Sequence, residues 1–303
     1  MIKLTSTIKR LEQMSPLERL GYFVTERQKI YEKKEARKPK PWTDDAILQT
    51  EYFCNIRREQ DKTTKWVREY IREPLQGKDE VAFAVLAFRW FNLIETGNAL
   101  LDSRHGPLRT ESMLHSLLCK WNPRKAKERL QGLPQIFTGA FTISPSGSSK
   151  PKLDRVIDDY IQPVWESKPP IGNVIKGCLT LRSAFNVVST FPGFGGGFMA
   201  AQVIADLRYT HLLHDALDSH TWCCLGPGSL RGLHRIAGRS IEAPKPADWH
   251  EEMVVVQRYL NTLIKPVLHM TDVQNCLCEY FKYERVLFQL GSGRSKRKYN
   301  GTI

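Results

Sequence analysis

The chain has 303 residues, with 45 Lys and Arg against 32 Asp and Glu, and so carries a net charge of +13. Hydrophobic residues make up 41% of it and charged residues 25%, which is typical of a globular protein and excludes a disordered or collagen-like chain. The cationic surplus favours a polyanionic partner, above all a nucleic acid, because fixed cations displace the counterions that phosphates hold.

Membrane-spanning and disulfide-stabilised classes are excluded as well. No apolar stretch reaches the roughly 20 residues that a membrane helix needs. Residues 1–20 indicate an amphipathic helix, so we expect no signal peptide. Seven cysteines form an odd set without the spacing of a disulfide framework, and we therefore expect reduced thiols in a cytoplasm.

Helical patterns dominate the chain. Ser15 followed by Pro16 is typical of a helix start, within an amphipathic segment at residues 6–36. The KPKP sequence at 38–41 ends that pattern, and Thr43 is the predicted cap of the next helix. The stretch 79–101 is apolar nearly all round, which indicates a buried central helix. Further helices are predicted over residues 113–130, 152–166, 172–190, 248–265 and 271–290.

Two segments depart from the helical pattern. Residues 136–143 alternate and are rich in β-branched side chains, and a Ser- and Gly-rich loop follows, so we predict a small β-hairpin insertion at about 135–150. Residues 291–303 combine Gly and Ser with basic residues, which predicts a flexible basic tail. Without an internal repeat or a clear linker, the predicted fold class is mainly α, with one helical domain over residues 1–290.

A glycine-rich corner, Pro-Gly-Phe-Gly-Gly-Gly at residues 192–197, lies between two helical patterns. Glycines there permit positive φ and expose backbone N–H groups, which bind a phosphate at a helix N-terminus without reading sequence. The pattern resembles the helix-hairpin-helix element of DNA glycosylases. The residues predicted to bind DNA are therefore Gly193, Phe194, Gly195, Gly196 and Gly197; the alternative is a helix–helix corner with no ligand.

A second glycine turn, Gly-Pro-Gly-Ser at residues 226–229, leads into a predicted helix with Arg231 in its first turn. Backbone amides, a hydroxyl and a guanidinium would converge there, which suits a phosphate or pyrophosphate. We predict that Gly226, Gly228, Ser229 and Arg231 hold such a group.

Five segments together resemble one family. They are Asn55–Thr63, Phe88–Thr96, residues 192–207, Gly226–Leu233 and Leu277–Arg285. In this order they are similar to the phage amino acid:DNA transferases, also named α-glutamyl/putrescinyl thymine pyrophosphorylases. The resemblance covers about residues 20–290. The family's helical domain is shared with 5-hydroxymethyluracil DNA kinases and is related to DNA glycosylases.

The resemblance implies a phage-encoded enzyme that acts on double-stranded DNA in the host cytoplasm. Such an enzyme replaces the pyrophosphate of 5-pyrophosphoryloxymethyl-deoxyuridine with an amine, from an amino acid such as glycine, serine or glutamate or from a polyamine. The kinase branch carries a P-loop, whereas Gly77-Lys78 is followed here by Asp79, so a transferase is favoured over a kinase. No cofactor is expected, and a need for a divalent metal stays open.

This chemistry requires cations around the departing pyrophosphate and a carboxylate that takes a proton from the amine. The predicted catalytic residues are the carboxylates Glu95 and Asp206, with Arg231 at the leaving group. Arg57, Arg58, Asp61 and Lys62 are predicted to surround the substrate.

One face of the predicted central helix adds further substrate contacts, namely Arg89, Asn92 and Thr96 beside Glu95. Arg89 would hold the carboxylate of an amino-acid donor, and Asn92 and Gln202 would read the pyrimidine edge. Kinship with glycosylases favours flipping of the target base. The aromatic residues that could stack on it are Trp90, Phe191, Phe194 and Trp222.

Competing interpretations remain for these residues. Arg57 and Arg58 could contact the DNA backbone or pair with Asp61, Arg89 could pair structurally with Glu95, and Asp206 could pair with Arg208. The whole chain could instead be a glycosylase-like base-excision enzyme, or a kinase-related DNA-binding subunit without catalysis. A zinc site is disfavoured because the adjacent Cys223 and Cys224 fit poorly around one tetrahedral ion.

Overall fold

The computed structural model describes residues 9–101, 109–141, 143 and 149–290. Within these ranges the chain is helical and contains no strand, which confirms the mainly α fold class. In chain order the α-helices are α1 (Pro16–Glu35), α2 (Ala46–Thr50), α3 (Lys62–Val67), α4 (Val81–Phe91), α5 (Ile94–Leu101), α6 (Thr110–Leu114), α7 (Pro123–Leu130), α8 (Lys152–Asp154), α9 (Gln162–Trp165), α10 (Ile171–Lys176), α11 (Leu181–Ser189), α12 (Phe198–Leu207), α13 (Pro227–Ile236), α14 (Trp249–Leu263) and α15 (Met270–Leu287).

The helices divide into two compact units. Unit 1 combines Met1–Asp61 with Cys223–Ile303, and unit 2 is the intervening segment Lys62–Trp222. Each unit has its own buried apolar cluster. The predicted tail at 291–303 lies outside the described residues.

Unit 1 is built around α15, against which α1, α13 and α14 pack. Ser15 caps α1 in a capping box with Glu18, and Pro16 takes the first helical position, as predicted. Asp45, rather than Thr43, caps α2, because its carboxylate accepts from the amides of Ile47 and Leu48. Thr43 instead accepts a hydrogen bond from the Asp45 amide.

A buried ion network ties α1 and α13 to α15. Glu284 is fully buried, and its two carboxylate oxygens bind Arg19 at 3.2 Å and Arg235 at 2.5 Å. The Tyr280 hydroxyl donates to the same carboxylate at 2.7 Å. Because a buried charge is tolerated only when it is paired, this network fixes how the three helices meet.

The closest helix contact in unit 1 joins α13 to α15. A Cβ added to Gly232 would lie 2.3 Å from the backbone oxygen of Leu277, and one added to Gly228 would lie 2.5 Å from the Sγ of Cys278. These two glycines are four residues apart and therefore share one face of α13. They allow the helix backbones to approach each other.

We expect Gly232→Ala to lower the free energy of unfolding by about 1–3 kcal/mol, because the added methyl group overlaps backbone. Alanine has a higher helix propensity than glycine, so propensity alone would stabilise the variant. A loss of stability would therefore come from the steric clash. Gly132→Ala is the matched control, since a Cβ there meets nothing within 4 Å. Urea denaturation measures both; equal stability of Gly232→Ala and the unchanged chain would contradict the close contact.

Unit 2 is built around α4, in which all residues from Val81 to Phe91 are buried. The predicted helix at 79–101 is interrupted, because Asn92 takes a left-handed conformation with φ of 47° and ends α4. Asparagine tolerates this conformation, and its amide N–H still closes the last turn onto the oxygen of Phe88 at 2.8 Å. A new helix, α5, then begins at Ile94.

Two other long helices are also divided. The segment predicted at 113–130 contains α6 and α7, since Asn122 followed by Pro123 starts a new helix with Asn122 as its cap. The segment predicted at 172–190 contains α10 and α11, which are separated after Gly177. The predictions at 152–166, 248–265 and 271–290 agree with the structure within a few residues, the first including a π-helical turn at Arg155–Ile161.

The β-hairpin predicted at about 135–150 is not formed by the described residues of that segment; residues 142 and 144–148 lie outside them. The backbone of this segment forms hydrogen bonds with helices instead of with a second strand. The Thr138 amide donates to the oxygen of Phe91 at 2.9 Å, and Thr96 donates to the oxygen of Ile136 at 2.6 Å. The ring of Phe137 stacks on Phe91. The apolar residues that suggested a strand therefore anchor an irregular strap, residues 133–141, to the core of unit 2.

Candidate functional site

Three of the five sequence segments converge on α15 in unit 1. The loop at 52–61 lies along this helix and is held by its polar side chains. The amide of Arg58 donates to Asp272 at 3.1 Å, Asn275 donates to the oxygen of Asn55 at 3.1 Å, and the amide of Cys54 donates to Glu279 at 3.0 Å.

Asp61 ends this loop, directly after the 3₁₀ turn Arg58–Gln60. Its Oδ1 accepts from the Asn55 amide at 3.0 Å. Burial raises the pKa of the Asp61 carboxyl to about 6, against the opposing effect of the Asn55 amide and of the Arg58 and Arg27 charges. A carboxylate with such a pKa can both take and release a proton near neutral pH.

Arg27, on α1, forms the support of this loop. Its guanidinium donates to the oxygens of Phe53 and Cys54 and to the side-chain oxygen of Asn55 at 3.1–3.3 Å. Sequence reasoning missed Arg27, since its helix pattern marks it only as one cation among many in α1. Burial lowers the pKa of Arg27 from its ordinary value.

The predicted phosphate turn lies against the neighbouring face of α15. Ser229 is fully buried; its hydroxyl donates to the oxygen of Gly226 at 2.9 Å and accepts from Gln274 at 3.0 Å. The N-terminus of α13 has no side-chain cap, so its first amides keep their partial positive charge. Gly228 is used for helix contact with Cys278, a role that the turn pattern did not predict.

Arg231 is 40% exposed in the first turns of α13. It makes a surface ion pair with Glu242 at 3.6 Å, and its guanidinium lies 6.0 Å from the centre of the Phe281 ring. An exposed pair of this kind contributes little stability, so Arg231 can exchange Glu242 for an anionic ligand at small cost.

The other predicted cations lie in different surroundings. Arg57 donates to the backbone oxygens of Pro266 and Val267 and so fastens the loop that precedes α15. Arg58 is half-buried beside its contact with Asp272. Lys62 is exposed at the start of α3 and belongs to unit 2.

Unit 2 contains the remaining two segments, which meet through a buried ion pair. Arg89 Nε donates to Asp206 Oδ2 at 2.5 Å and Nη2 donates to Oδ1 at 2.8 Å. Both side chains are at most 2% exposed. Arg89 also donates to Asn92 at 2.6 Å and to Thr64 at 3.3 Å. Two guanidinium N–H groups bound to the two oxygens of one carboxylate form the strongest type of charge-assisted contact, and this one joins α4 to α12.

This geometry separates residues that the sequence placed on one face. Glu95 is exposed on α5, beyond the break at Asn92, and Asp206 rather than Glu95 is the ionic partner of Arg89. Thr96 is fully buried and bonds to Ile136, and Gln202 is half-buried on α12. Asp206 has both oxygens bound by Arg89, which leaves it poorly suited to accept a proton.

The glycine corner joins α11 to α12. Gly193 and Gly197 have φ of 81° and 76°, so both glycines meet a conformational requirement. Gly195 and Gly196 are exposed, whereas Phe194 is fully buried and packs edge-on against Trp90. Trp90 is 3% exposed, and Phe191 and Trp222 are half-buried against the core. The corner therefore offers exposed backbone to a ligand, while its central aromatic side chain serves packing.

Among the described residues, no three His, Cys, Asp or Glu side chains are grouped closely enough to hold a metal ion. Of the helices described, none is sufficiently long and apolar to span a membrane.

A comparison with protein families gives one match. The family model of the 5-hmdU DNA kinase, helical domain, matches residues 15–293. The chain belongs to this family. The predicted relationship to the helical domain of these kinases is thus confirmed. A search of curated proteins and a search of solved structures each gave no match.

The matched range of this 5-hmdU DNA kinase helical-domain family includes both units and all five sequence segments. It therefore includes the loop at 52–61 and the α13 turn, which both contact α15 in unit 1. It also includes the Arg89–Asp206 pair and the glycine corner of unit 2. Membership in this family relates the chain to enzymes that modify DNA.

Proposed function

We propose that the chain is a DNA base-modification transferase, which replaces the pyrophosphate of 5-pyrophosphoryloxymethyl-deoxyuridine with an amine. The observation that carries this proposal is the convergence of three sequence segments on α15. These segments bring to unit 1 the Asp61 carboxyl, whose pKa is about 6, together with the uncapped start of α13 and the partly exposed Arg231. The family supports modified deoxyuridine in DNA as the substrate class.

In the proposed reaction the amine nitrogen attacks the methylene carbon on C5 of the pyrimidine. The bond from that carbon to the pyrophosphate oxygen breaks, and pyrophosphate departs with the electron pair. The amine enters as an ammonium ion, so one proton must leave before attack, and Asp61 accepts it. Arg231 and the first amides of α13 stabilise the negative charge that develops on the leaving group.

The role of Asp61 replaces the two catalytic carboxylates that the sequence favoured. Glu95 is exposed, and Asp206 is neutralised by Arg89. Asp61 is half-buried and electrostatically coupled to Arg58 and Arg27, and its pKa is matched to proton transfer near neutral pH. The glycine corner of unit 2 remains a proposed contact for the DNA backbone through its exposed amides.

The function is tested by incubating the protein with duplex DNA that carries 5-pyrophosphoryloxymethyl-deoxyuridine and with separate pools of amino acids and polyamines. Nucleoside digests analysed by mass spectrometry should show an amine-substituted thymidine, with release of pyrophosphate in equal amount. Unchanged nucleoside with every donor would refute the transferase. Abasic sites would indicate a glycosylase, and phosphorylation of 5-hydroxymethyl-deoxyuridine DNA by ATP would indicate a kinase.

Arg231→Ala should lower turnover on this substrate by about 10²–10³-fold, as expected for the loss of one group that stabilises a departing charge. The affinity for unmodified duplex should change little, because one exposed cation among 45 basic residues is removed. Single-turnover kinetics and fluorescence anisotropy measure the two quantities. Full activity of the variant would remove Arg231 from the site.

A further inference from the structure

The chain has a strongly basic segment in which none of the predicted site residues lies. Between residues 112 and 153 the sequence contains one acidic residue, Glu128, and seven basic ones. The basic residues are Lys120, Arg124, Lys125, Lys127, Arg129, Lys150 and Lys152. This stretch thus supplies a net +6 of the +13 carried by the whole chain, within 42 residues.

The cations of α7 separate into an inner and an outer set. Lys127 points inward and pairs with Asp154 at 2.8 Å and Asp158 at 2.7 Å. Its charge is therefore neutralised within the fold. Lys120, Arg124 and Lys125 are exposed, with Arg124 at 89%. Arg124 makes a surface ion pair with Glu128 at 2.9 Å, and such an exposed pair contributes little stability, so Arg124 can exchange Glu128 for another anion at small cost. We call Lys120, which lies just before the helix, together with Arg124, Lys125 and Arg129 of the helix the α7 basic face.

The α7 basic face is held on a rigid support. Asn122 caps the helix by accepting from the Lys125 amide at 2.9 Å, and Ala126 and Leu130 are fully buried beneath it. The two bonds of Lys127 fix the helix against Asp154 of α8 and Asp158 of the π-helical turn that follows it. Cations carried on an ordered backbone bind an anion at a lower entropic cost than cations on a flexible loop.

The strap connects this face to the glycine corner within unit 2. Residues 133–141 follow α7 directly, and the ring of Phe141 packs edge-on against Phe198 at 4.8 Å. Phe198 is the first residue of α12 and follows Gly197 of the corner. Lys152 lies over the ring of Phe137 at 4.3 Å and adds a further cation beside the strap.

We propose that the α7 basic face is a docking surface for the phosphate backbone of duplex DNA. The inference rests on the proposed function for the identity of the polyanion. Its physical basis is the clustering of four cations against one carboxylate, Glu128, on and beside an exposed helix, which gives sequence-independent binding through counterion release.

The test compares two triple variants of the full chain. Lys120→Ala with Arg124→Ala and Lys125→Ala removes three charges from the α7 basic face and leaves Arg129, whose guanidinium also bonds to the oxygen of Ala99. Lys29→Ala with Arg258→Ala and Lys265→Ala removes three exposed charges from unit 1 and is the matched control. Circular dichroism melting checks that both fold, and a Lys120→Arg, Lys125→Arg variant should bind as the unchanged chain does.

Fluorescence anisotropy with an unmodified 20-base-pair duplex gives the dissociation constant at several salt concentrations. The α7 variant should bind at least about 10-fold more weakly, and the slope of log K against log salt should fall by about two to three. The control should retain binding within about 3-fold. Equal losses in both variants, unchanged binding in the α7 variant, or no binding by the unchanged chain would overturn the proposal.

The result is separable from the fate of the proposed function. A chain that binds duplex through α7 but forms no amine-substituted product would refute only the transferase. Product formation with unaltered binding by the α7 variant would refute only the docking surface.

Discussion

Asp61→Asn should lower transferase turnover by about 10²–10⁴-fold, the range that general-base catalysis contributes. The variant keeps the size of the side chain and an oxygen for the Asn55 amide, but it cannot accept a proton from the amine. In the unchanged chain, activity should rise with pH through about 6, since the carboxyl must be ionised to act. The residual activity of Asp61→Asn should lack this rise. Rates from pH 5 to 8 provide the measurement.

Stability gives an independent check on Asp61, because the sign of the pKa shift is opposite to that of a salt-bridged carboxylate. A folded-state pKa raised above the unfolded value means that the native chain binds more protons between about 4 and 6, so the Asp61 contribution to stability decreases as pH rises through that window. Asp61→Asn should therefore be no less stable than the unchanged chain at pH 8. A large loss of stability there, with activity lost in proportion, would indicate a structural role.

Asp206→Ala should lower the free energy of unfolding by about 3–5 kcal/mol, because it leaves the buried Arg89 guanidinium without its carboxylate. Replacing the whole pair, Arg89→Met with Asp206→Leu, should recover most of that loss, since well-packed apolar side chains can substitute for a buried ion pair. Guanidinium denaturation measures all three chains.

Glu95→Gln is the control for this pair, because Glu95 is exposed on α5. It should change the free energy of unfolding by no more than about 0.5 kcal/mol.

A further variant, Asp206→Asn, separates a structural from a catalytic role. If it folds with the stability of the unchanged chain and has no turnover, Asp206 would be a catalytic group and the structural interpretation would be wrong.

Features set by neighbouring residues could be predicted from the sequence. Ser15 and Pro16 start α1 through contacts within one turn, and α14 and α15 follow from apolar periodicity. Asn92 was harder to predict, because asparagine is acceptable within a helix. Its left-handed conformation is stabilised by Arg89, whose side chain donates to it. One such residue turned a predicted long helix into two.

The candidate site shows the same limit. Periodicity placed Arg89 and Glu95 on one face, whereas the ionic partner of Arg89 lies 117 positions away. Gly228 was assigned to a phosphate from its turn sequence, and its contact with Cys278 depends on a helix fifty residues later in the chain. The raised pKa of Asp61 arises from burial and from the charge of Glu279 on α15, against the lowering effect of Arg27 on α1, and no local pattern around position 61 records these neighbours.

The discontinuity of unit 1 has a consequence for biosynthesis. The whole segment of unit 2 has left the ribosome once Trp222 is clear, whereas α1 must wait until α15 emerges before Arg19 meets Glu284. About 250 residues separate the end of α1 from Glu284. At about 5–20 residues per second, Arg19 and the apolar face of α1 therefore lack their native contacts on α15 for roughly 10–50 seconds of synthesis. The first helix, rather than the central one, is therefore the element that stays longest without its native packing partner during translation.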